Sequence, residues 1–198
     1  MHDTQQGPEF LRLVFMTSLG TTKSIEIDYD SFRDVASNGY YFDGSSVPGY
    51  AVVNSSDLLL KPTSSLPLVQ PWDPSVAVLL CTVHEVSGEP HPSDPRLILR
   101  RVLGEASDEG YHLEVGSELE FFLVTREAAG GISPIDRGGY FDVLPSDAGL
   151  DFRRRAVRTL RRMGIATTAH HHEAAEGQHE ICLRRGPAVM IPDSVMLS

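Results

Sequence analysis

The stretch HHHEAAEGQHEI, residues 170–181, decides how the second half of the chain is interpreted. Three consecutive histidines and Glu173 are followed by small and polar residues, and then by His179 and Glu180. If residues 174–178 form a turn between two strands, Glu173 and Glu180 lie close together at its base, where one cation can bind both. A polar hairpin tip without a ligand is the alternative. The histidines do not by themselves predict zinc, because no cysteine is expected near them and their spacing matches no common zinc finger.

A second acidic pair precedes this hairpin in GSELEFFL, residues 116–123. Glu118 and Glu120 are two residues apart in a strand pattern, so their side chains project from the same face. Two carboxylates side by side on an apolar strand are costly unless something neutralises them, and hard cations such as Mg²⁺ or Mn²⁺ do so with oxygen ligands. The alternative is a solvent-exposed face that binds nothing.

A third candidate is the loop within YYFDGSSVPGY, residues 40–50. Asp43 and Gly44 are followed by Ser45 and Ser46, and an Asp-Gly pair in a polar run is typical of a turn. A turn that presents one carboxylate and two hydroxyls is also suited to binding a ligand. The local sequence leaves both interpretations open.

Around these segments the sequence predicts a two-part chain that mixes strands and helices. Alternating apolar residues predict strands at 10–15, 23–27, 58–61, 76–83, 165–172 and 178–184, with a strand pair within 112–125. Helices are predicted at 31–38, capped by Asp30, at 96–109 after Asp94 and Pro95, and at 150–163. An apolar helical pattern also follows Asp193. The proline-rich residues 87–95 are the expected boundary between the two parts.

The basic segment RRRAVRTLRR, residues 153–162, is predicted to be the solvated face of an amphipathic helix. Its apolar residues Phe152, Val157, Leu160 and Met163 are expected to face inward. A surface that faces phosphate groups is the alternative.

The overall charge disfavours some partners. The chain has 27 acidic and 17 basic residues and a net charge of −10, which disfavours nucleic acid and anionic lipid. No apolar run approaches the roughly 20 residues of a membrane span, and no secretory signal precedes the first strand, so no membrane partner and a cytoplasmic location are predicted. Cys81 and Cys182 are expected to be free, buried thiols.

Five segments, taken in order, resemble motifs of type I glutamine synthetase. They are FDGSS (42–46), SDLLLKP (56–62), GSELEFF (116–122), GGYFDVLPSD (138–147) and HHHEAAEGQHEI (170–181). The resemblance implies an α+β fold. Residues 1–93 are then a β-grasp domain, and residues 94–198 are the truncated N-terminal portion of a catalytic domain, a curved antiparallel sheet with helices.

The resemblance also implies roles for individual residues. Glu118 is similar to a ligand of the nucleotide-associated metal, and Glu120, Glu173 and Glu180 are similar to ligands of the metal nearest glutamate. Asp43 matches an aspartate that helps to deprotonate ammonium, and Ser46 matches a serine of the same loop. No residue is assigned to ATP itself.

The function implied is ATP-dependent ligation of ammonia to the side-chain carboxyl of glutamate, through an acyl phosphate and with Mg²⁺ or Mn²⁺. The partners implied are glutamate, ammonium, ATP and further copies of the chain in a dodecamer. Because other family motifs would follow residue 198, the isolated chain is expected to be inactive. The alternatives are a non-catalytic fragment or modulator of synthetase oligomers, a fragment of a glutamate–amine or polyamine ligase, and an unrelated metal-binding β-protein.

Overall fold

A computed structural model describes residues 7–128 and 130–198 of the chain, which form two compact units. The first unit extends to His112 and the second begins at Leu113. The first six residues of the predicted β-grasp domain lie outside the described residues. Within the described ranges, no helix combines the length and the apolar character that crossing a membrane requires.

The first unit is built on a six-stranded mixed sheet. Its strands are β1 (Phe10–Met16), β2 (Thr22–Asp28), β3 (Tyr40–Asp43), β4 (Asp57–Pro62), β5 (Leu68–Gln70) and β6 (Asp73–Glu85), and its helices are α1 (Phe32–Asn38) and α2 (Pro95–Asp108). The strand order is β2-β1-β6-β4-β3, with β5 also paired to β6. Strands β1 and β6 are parallel, and all other pairs are antiparallel. A parallel central pair flanked by antiparallel neighbours is the arrangement expected of a β-grasp domain.

The core of this unit follows from alternation along its strands. Leu11, Leu13 and Phe15 of β1 are fully or almost fully buried, because every second side chain of the strand points to the same face. The same cluster contains residues of α1, the loop between β3 and β4, and strands β4 and β6, namely Val35, Tyr50, Leu58, Leu60, Ala77, Leu79, Cys81 and Val83. The predicted strands at 10–15, 23–27, 58–61 and 76–83 are therefore confirmed, whereas β3 and β5 were not predicted.

The two helices of the first unit start differently from each other. The cap predicted for Asp30 is wrong, because a short 3₁₀ turn over Tyr29–Ser31 leads directly into α1 and no side chain caps that helix. Helix α2 starts as predicted, with Asp94 accepting a hydrogen bond from the backbone N–H of Leu97 at 2.8 Å. Asp94 also accepts the backbone N–H of Val83 in β6 at 2.7 Å, so one carboxylate joins the helix to the sheet.

The second unit contains a three-stranded antiparallel sheet and two shorter strand pairs. Its strands are β7 (Glu114–Val115), β8 (Glu118–Phe122), β9 (Val124–Arg126), β10 (Ile132–Pro134), β11 (Thr167–His172), β12 (Gln178–Leu183) and β13 (Gly186–Pro187), and its helices are α3 (Leu150–Arg162) and α4 (Met190–Leu197). The main sheet has the order β11-β12-β8, while β9 pairs with β10 and β7 with β13. Strands β7 and β8 lie within 112–125, as predicted, but they do not pair with each other: β7 pairs with β13, and β8 pairs with β12, more than fifty residues later.

Helix α3 packs against β11 and β12. Val157, Leu160 and Met163 are buried as predicted, but Phe152 is 41% exposed. The prediction that all the arginines lie on a solvated face is wrong for Arg153, which is 1% exposed. Its burial has an electrostatic cause in the candidate site.

Candidate metal centre

The register of the main sheet brings acidic side chains into adjacent rows. Glu120 of β8 lies opposite Glu180 of β12, which in turn lies opposite His171 of β11. One step along the sheet, Glu118 lies opposite Cys182. Because side chains two residues apart share a face, both rows project from the same side of the sheet.

Three carboxylates meet on this face. One oxygen each of Glu118, Glu120 and Glu180 lies within 4.8 Å of the others. Glu180 is only 7% exposed, and the amide of Gln178 donates to Oε2 of Glu120 at 2.8 Å, which fixes its orientation. Three like charges this close repel one another unless a cation neutralises them, and an all-oxygen donor set suits Mg²⁺ or Mn²⁺.

Glu173 lies beside this cluster, and the ring of His171 lies between Glu173 and Glu180. Oε1 of Glu173 is 3.3 Å from Nδ1 of His171, and Nε2 of His171 is 3.7 Å from Oε1 of Glu180. Glu173 also accepts the backbone N–H of Ala174 at 3.2 Å. The turn therefore has Glu173 and Glu180 at its base, as the sequence indicated, with the His171 ring between them. Of the four predicted ligands, the structure brings three together directly.

Cys182 was not predicted to belong here. Its Sγ donates to Oε1 of Glu180 at 2.8 Å, and Sγ, the Glu180 oxygen and a His171 nitrogen all lie within 4.8 Å of one another. The expectation that no cysteine lies near the histidines is therefore wrong. The expectation of two free thiols is confirmed, although only Cys81 is fully buried. The one signal in the sequence was the spacing of Cys182 two residues after Glu180 in a strand.

The opposite face of the sheet carries a buried ionic network. Arg153 donates two hydrogen bonds to the carboxylate of Asp147, at 2.8 and 2.5 Å, and a third to Nδ1 of His179 at 2.7 Å. The hydrogen bonds from Arg153 hold the pKa of Asp147 below its ordinary value, against the effect of burial. His179 immediately precedes Glu180, so this network anchors the strand that presents the buried carboxylate.

A second buried pair fixes the neighbouring strand. Nε2 of His172 donates to Asp136 at 2.8 Å, and Nδ1 donates to the backbone carbonyl of Glu173 at 2.6 Å. Burial lowers the pKa of His172, but these two hydrogen bonds and the charge of Asp136 outweigh it and raise the pKa. Asp136 also accepts the backbone N–H of Gly177 at 3.1 Å, so it links the hairpin turn to the preceding loop.

Asp43 and Ser46 belong to the first unit. Asp43 ends β3, and its Oδ1 accepts the backbone N–H of Ser45 at 2.8 Å, forming a turn closed by the side chain. Hydrogen bonds from the hydroxyl and backbone of Ser45 hold the pKa of Asp43 below its ordinary value. Ser46 is exposed in the same turn. The loop thus presents an ionised carboxylate and a free hydroxyl to solvent.

Comparison with known proteins identifies the family to which the chain belongs. Residues 7–86 match a model of the glutamine synthetase β-grasp domain, and residues 92–198, more than half of the chain, match a model of the glutamine synthetase catalytic domain. The chain belongs to the glutamine synthetase family. The predicted family and the α+β class, with a β-grasp domain before part of a catalytic domain, are therefore confirmed.

Similar proteins of known identity are glutamine synthetases. A glutamine synthetase of Methanococcus maripaludis is 40% identical over 199 residues, which cover 95% of this chain and 45% of the relative. A glutamine synthetase of Halobacterium salinarum is 39% identical over 196 residues, covering 96% of this chain and 43% of the relative. The chain thus spans less than half the length of these glutamine synthetases.

Two solved structures have a similar fold. A complex of GmaS with ADP is 27% identical with a TM-score of 0.82, over 98% of this chain and 46% of the solved one. A glutamine synthetase of Plasmodium falciparum, at 22% identity, has a TM-score of 0.81 over 98% of this chain and 44% of its own, and supports the fold alone. The glutamine synthetase family comprises ligases that use ATP and divalent metals. The carboxylate cluster on the sheet is suited to binding such a metal.

Proposed function

We propose that this chain supplies the N-terminal part of a glutamate–ammonia ligase, with a divalent-cation centre on the β8–β12–β11 sheet. By family resemblance, Glu118 serves the metal associated with the nucleotide, and Glu120, Glu173 and Glu180 serve the metal nearest glutamate. The observation that supports the proposal most strongly is the meeting of Glu118, Glu120 and Glu180 within 4.8 Å, inside the segment that matches the family's catalytic domain. Glu173 completes the ligand set by a change of side-chain rotamer away from His171. The domain boundary at 93/94 and a cytoplasmic location belong to the same proposal.

The cation suited to this centre is Mg²⁺ or Mn²⁺. When bound, it neutralises charge on the phosphoryl group of ATP and aligns its oxygens with the glutamate carboxyl. The chain's own residues hold the centre in shape. Glu180 is kept buried by its strand, Gln178 orients Glu120, and the Arg153 network fixes the strand from behind.

Asp43 is proposed to act on ammonium. A carboxylate whose pKa is held low stays ionised at neutral pH and attracts a cation, so Asp43 is suited to holding ammonium while its proton leaves. Ser46 offers a hydroxyl in the same turn. By family resemblance this loop serves a neighbouring subunit in a homo-oligomer, a dodecamer, so that glutamate, ammonium and ATP meet between two chains.

Cation binding is tested on the 198-residue chain itself by titration with Mn²⁺, following the electron paramagnetic resonance signal of the free ion. Glu120→Gln and Glu180→Gln are each expected to weaken Mn²⁺ binding by more than about tenfold, since even outer-shell changes cost roughly 10–100-fold in metal affinity. Glu176→Gln, in the exposed turn of the same hairpin, is the matched control and is expected to bind as the wild type does. Equal binding by all four proteins would overturn the proposed centre.

Ligase activity is tested on a chimera that continues this chain with the remaining sequence of the Methanococcus maripaludis relative. The chimera is expected to form glutamine from glutamate, ammonium and ATP, and to lose this activity with Asp43→Ala or Glu120→Gln. The relative's own full-length protein is the positive control. An oligomeric, well-folded chimera that is inactive beside an active control would refute the ligase proposal, and a preference for methylamine over ammonium would refute ammonia as the substrate.

A further inference from the structure

We propose that His171, Glu180 and Cys182 form a second cation site, which binds a borderline-soft divalent ion such as Zn²⁺ or Co²⁺ through imidazole nitrogen, carboxylate oxygen and thiolate sulfur. The site shares Glu180 with the carboxylate centre but contributes two donors that Mg²⁺ does not favour. The proposal of a second site rests on the geometry of these three residues. Only the expected effect of this site on the carboxylate centre rests on the proposed function.

The separations between the donor atoms suit one ion. Zinc bonds of about 2.0–2.3 Å to nitrogen, oxygen and sulfur, arranged tetrahedrally, place ligand atoms roughly 3.3–3.7 Å apart. In the structure Nε2 of His171 is 3.7 Å from Oε1 of Glu180, and Sγ of Cys182 is 2.8 Å from the same oxygen. The short S···O distance is that of a thiol hydrogen bond, and an ion that displaces this proton needs a shift of under about 1 Å in a flexible glutamate side chain.

The His171 ring is already turned toward this position. Its Nδ1 faces two acceptors, the carboxylate of Glu173 at 3.3 Å and the backbone carbonyl of His172 at 3.2 Å. A proton on Nδ1 leaves the lone pair on Nε2, the atom that faces Glu180. A carboxylate behind a histidine is the outer-shell arrangement that orients metal-binding imidazoles in proteins and increases their basicity.

Two aromatic side chains confine the same ring. Tyr140 and Phe141 contact His171 edge-on, with ring centroids 5.5 and 4.7 Å away. Phe141 adopts a φ of 61°, a region that bulky residues rarely occupy, and its backbone N–H donates to the carbonyl of His172 at 3.1 Å. Strained backbone of this kind is retained where the surroundings hold it in place, and here it keeps an aromatic wall against the imidazole.

The environment of Glu180 favours a cation. Its side chain is 9% exposed. Within the described residues, the groups near its carboxylate besides Glu118 and Glu120 are the Cys182 thiol, which is a weak donor, and the His171 ring. A buried carboxylate with so little compensation carries a desolvation cost that a bound cation removes. Because both sites use Glu180, occupancy by Zn²⁺ or Co²⁺ is expected to oppose Mn²⁺ binding at the carboxylate centre.

Cobalt provides the direct test, because a thiolate bound to Co²⁺ produces a charge-transfer absorption band in the near ultraviolet. The chain has two cysteines, so Cys182→Ala and Cys81→Ala form a matched pair. With Co²⁺ added under reducing, oxygen-free conditions, we expect the band in the wild type and in Cys81→Ala, its loss in Cys182→Ala and its weakening in His171→Ala. Zn²⁺ is expected to remove the band at one equivalent, and excess Mg²⁺ to leave it unchanged.

A second measurement covers the case in which Cys182→Ala fails to fold. In the wild-type chain, Zn²⁺ is expected to protect Cys182 from alkylation by iodoacetamide, scored by peptide mass spectrometry, whereas Mg²⁺ is not. Absence of the band from the wild type, its survival in a folded Cys182→Ala, or equal alkylation with and without Zn²⁺ would each overturn the proposal. Mn²⁺ titration of Glu120→Gln reports on the carboxylate centre separately, so failure of one site is distinguishable from failure of the other.

Discussion

The buried ion pair beneath the hairpin gives a sharp prediction about stability. Arg153→Met keeps an unbranched apolar stem in the same space but removes four hydrogen bonds, two to Asp147, one to His179 and a longer one to His170. The side chains of Arg153 and Asp147 are 2% and 4% exposed, so the variant leaves a carboxylate buried without its counterion. Removing one partner of a buried pair typically costs about 3–5 kcal/mol, which is the expected decrease in the free energy of unfolding.

The measurement is urea denaturation at pH 7, followed by far-ultraviolet circular dichroism. Arg154→Met is the matched control, because Arg154 is the next residue of the same helix, is 52% exposed, and has a 3.9 Å ion pair with Asp151. An exposed pair of this kind contributes at most about 1 kcal/mol. The comparison therefore separates the loss of a positive charge from the loss of a buried partner.

The double variant Arg153→Met/Asp147→Leu identifies the cause. If the cost comes from the stranded carboxylate, removing that carboxylate as well recovers a substantial part of the stability, because apolar replacements of whole buried pairs are often close to neutral. A loss below about 1 kcal/mol in Arg153→Met, or a double variant less stable than the single one, would refute this account of the network.

Three further predictions concern the first unit and the response to acid. Asp94→Ala is expected to lower the free energy of unfolding by about 2–4 kcal/mol, because it removes the α2 cap and leaves the buried N–H of Val83 without its acceptor; a loss below about 1 kcal/mol on urea denaturation would contradict this. Tyr50→Phe removes the hydroxyl that donates to the backbone carbonyl of Met16, with an expected cost of about 1–2 kcal/mol by the same measurement, and an unchanged midpoint would show that the bond contributes nothing. Because the folded pKa of Asp147 lies below its ordinary value of 3.8, the unfolded chain binds the extra proton, so this contribution to stability is present above about pH 4 and is lost as the pH falls through the folded pKa. Denaturation over a series of acidic pH values is expected to give a shallower dependence for Asp147→Asn, and equal slopes would argue against the shift.

Local patterns were enough to predict most elements of the first unit. Alternation in β1 and β2 and the start of α2 at Asp94 are written in consecutive residues, and the structure confirms them. The local sequence does not determine which strands pair when they are far apart along the chain. Glu118 and Glu120 could be placed on one face of a strand from their spacing, but their strand pairs with β12, which only tertiary structure decides.

The same limit applies to the chemistry of the site. Glu180 was predicted from a motif. Cys182 was not, because its place in the site depends on its pairing with Glu118 on the neighbouring strand and on the nearby His171 ring. Arg153 was assigned to a solvated face because a run of arginines resembles one, and its burial depends on Asp147 and His179, which come from a loop and another strand. The local pattern favours an exposed arginine, but hydrogen-bond partners that are distant in the sequence allow this one to be buried.

The alternation of β12 has a consequence for how this protein can change over evolutionary time. His179 and Ile181 face the helix while Glu180 and Cys182 face the opposite side, so scaffold and chemistry are interleaved residue by residue. A substitution alters one face, but the insertion or deletion of a single residue exchanges the two faces along the rest of the strand, burying carboxylates under α3 and exposing apolar residues where cations bind. Length in this hairpin is therefore constrained more tightly than composition, and changes in length are tolerated in the turn at 174–177 rather than in the strands beside it.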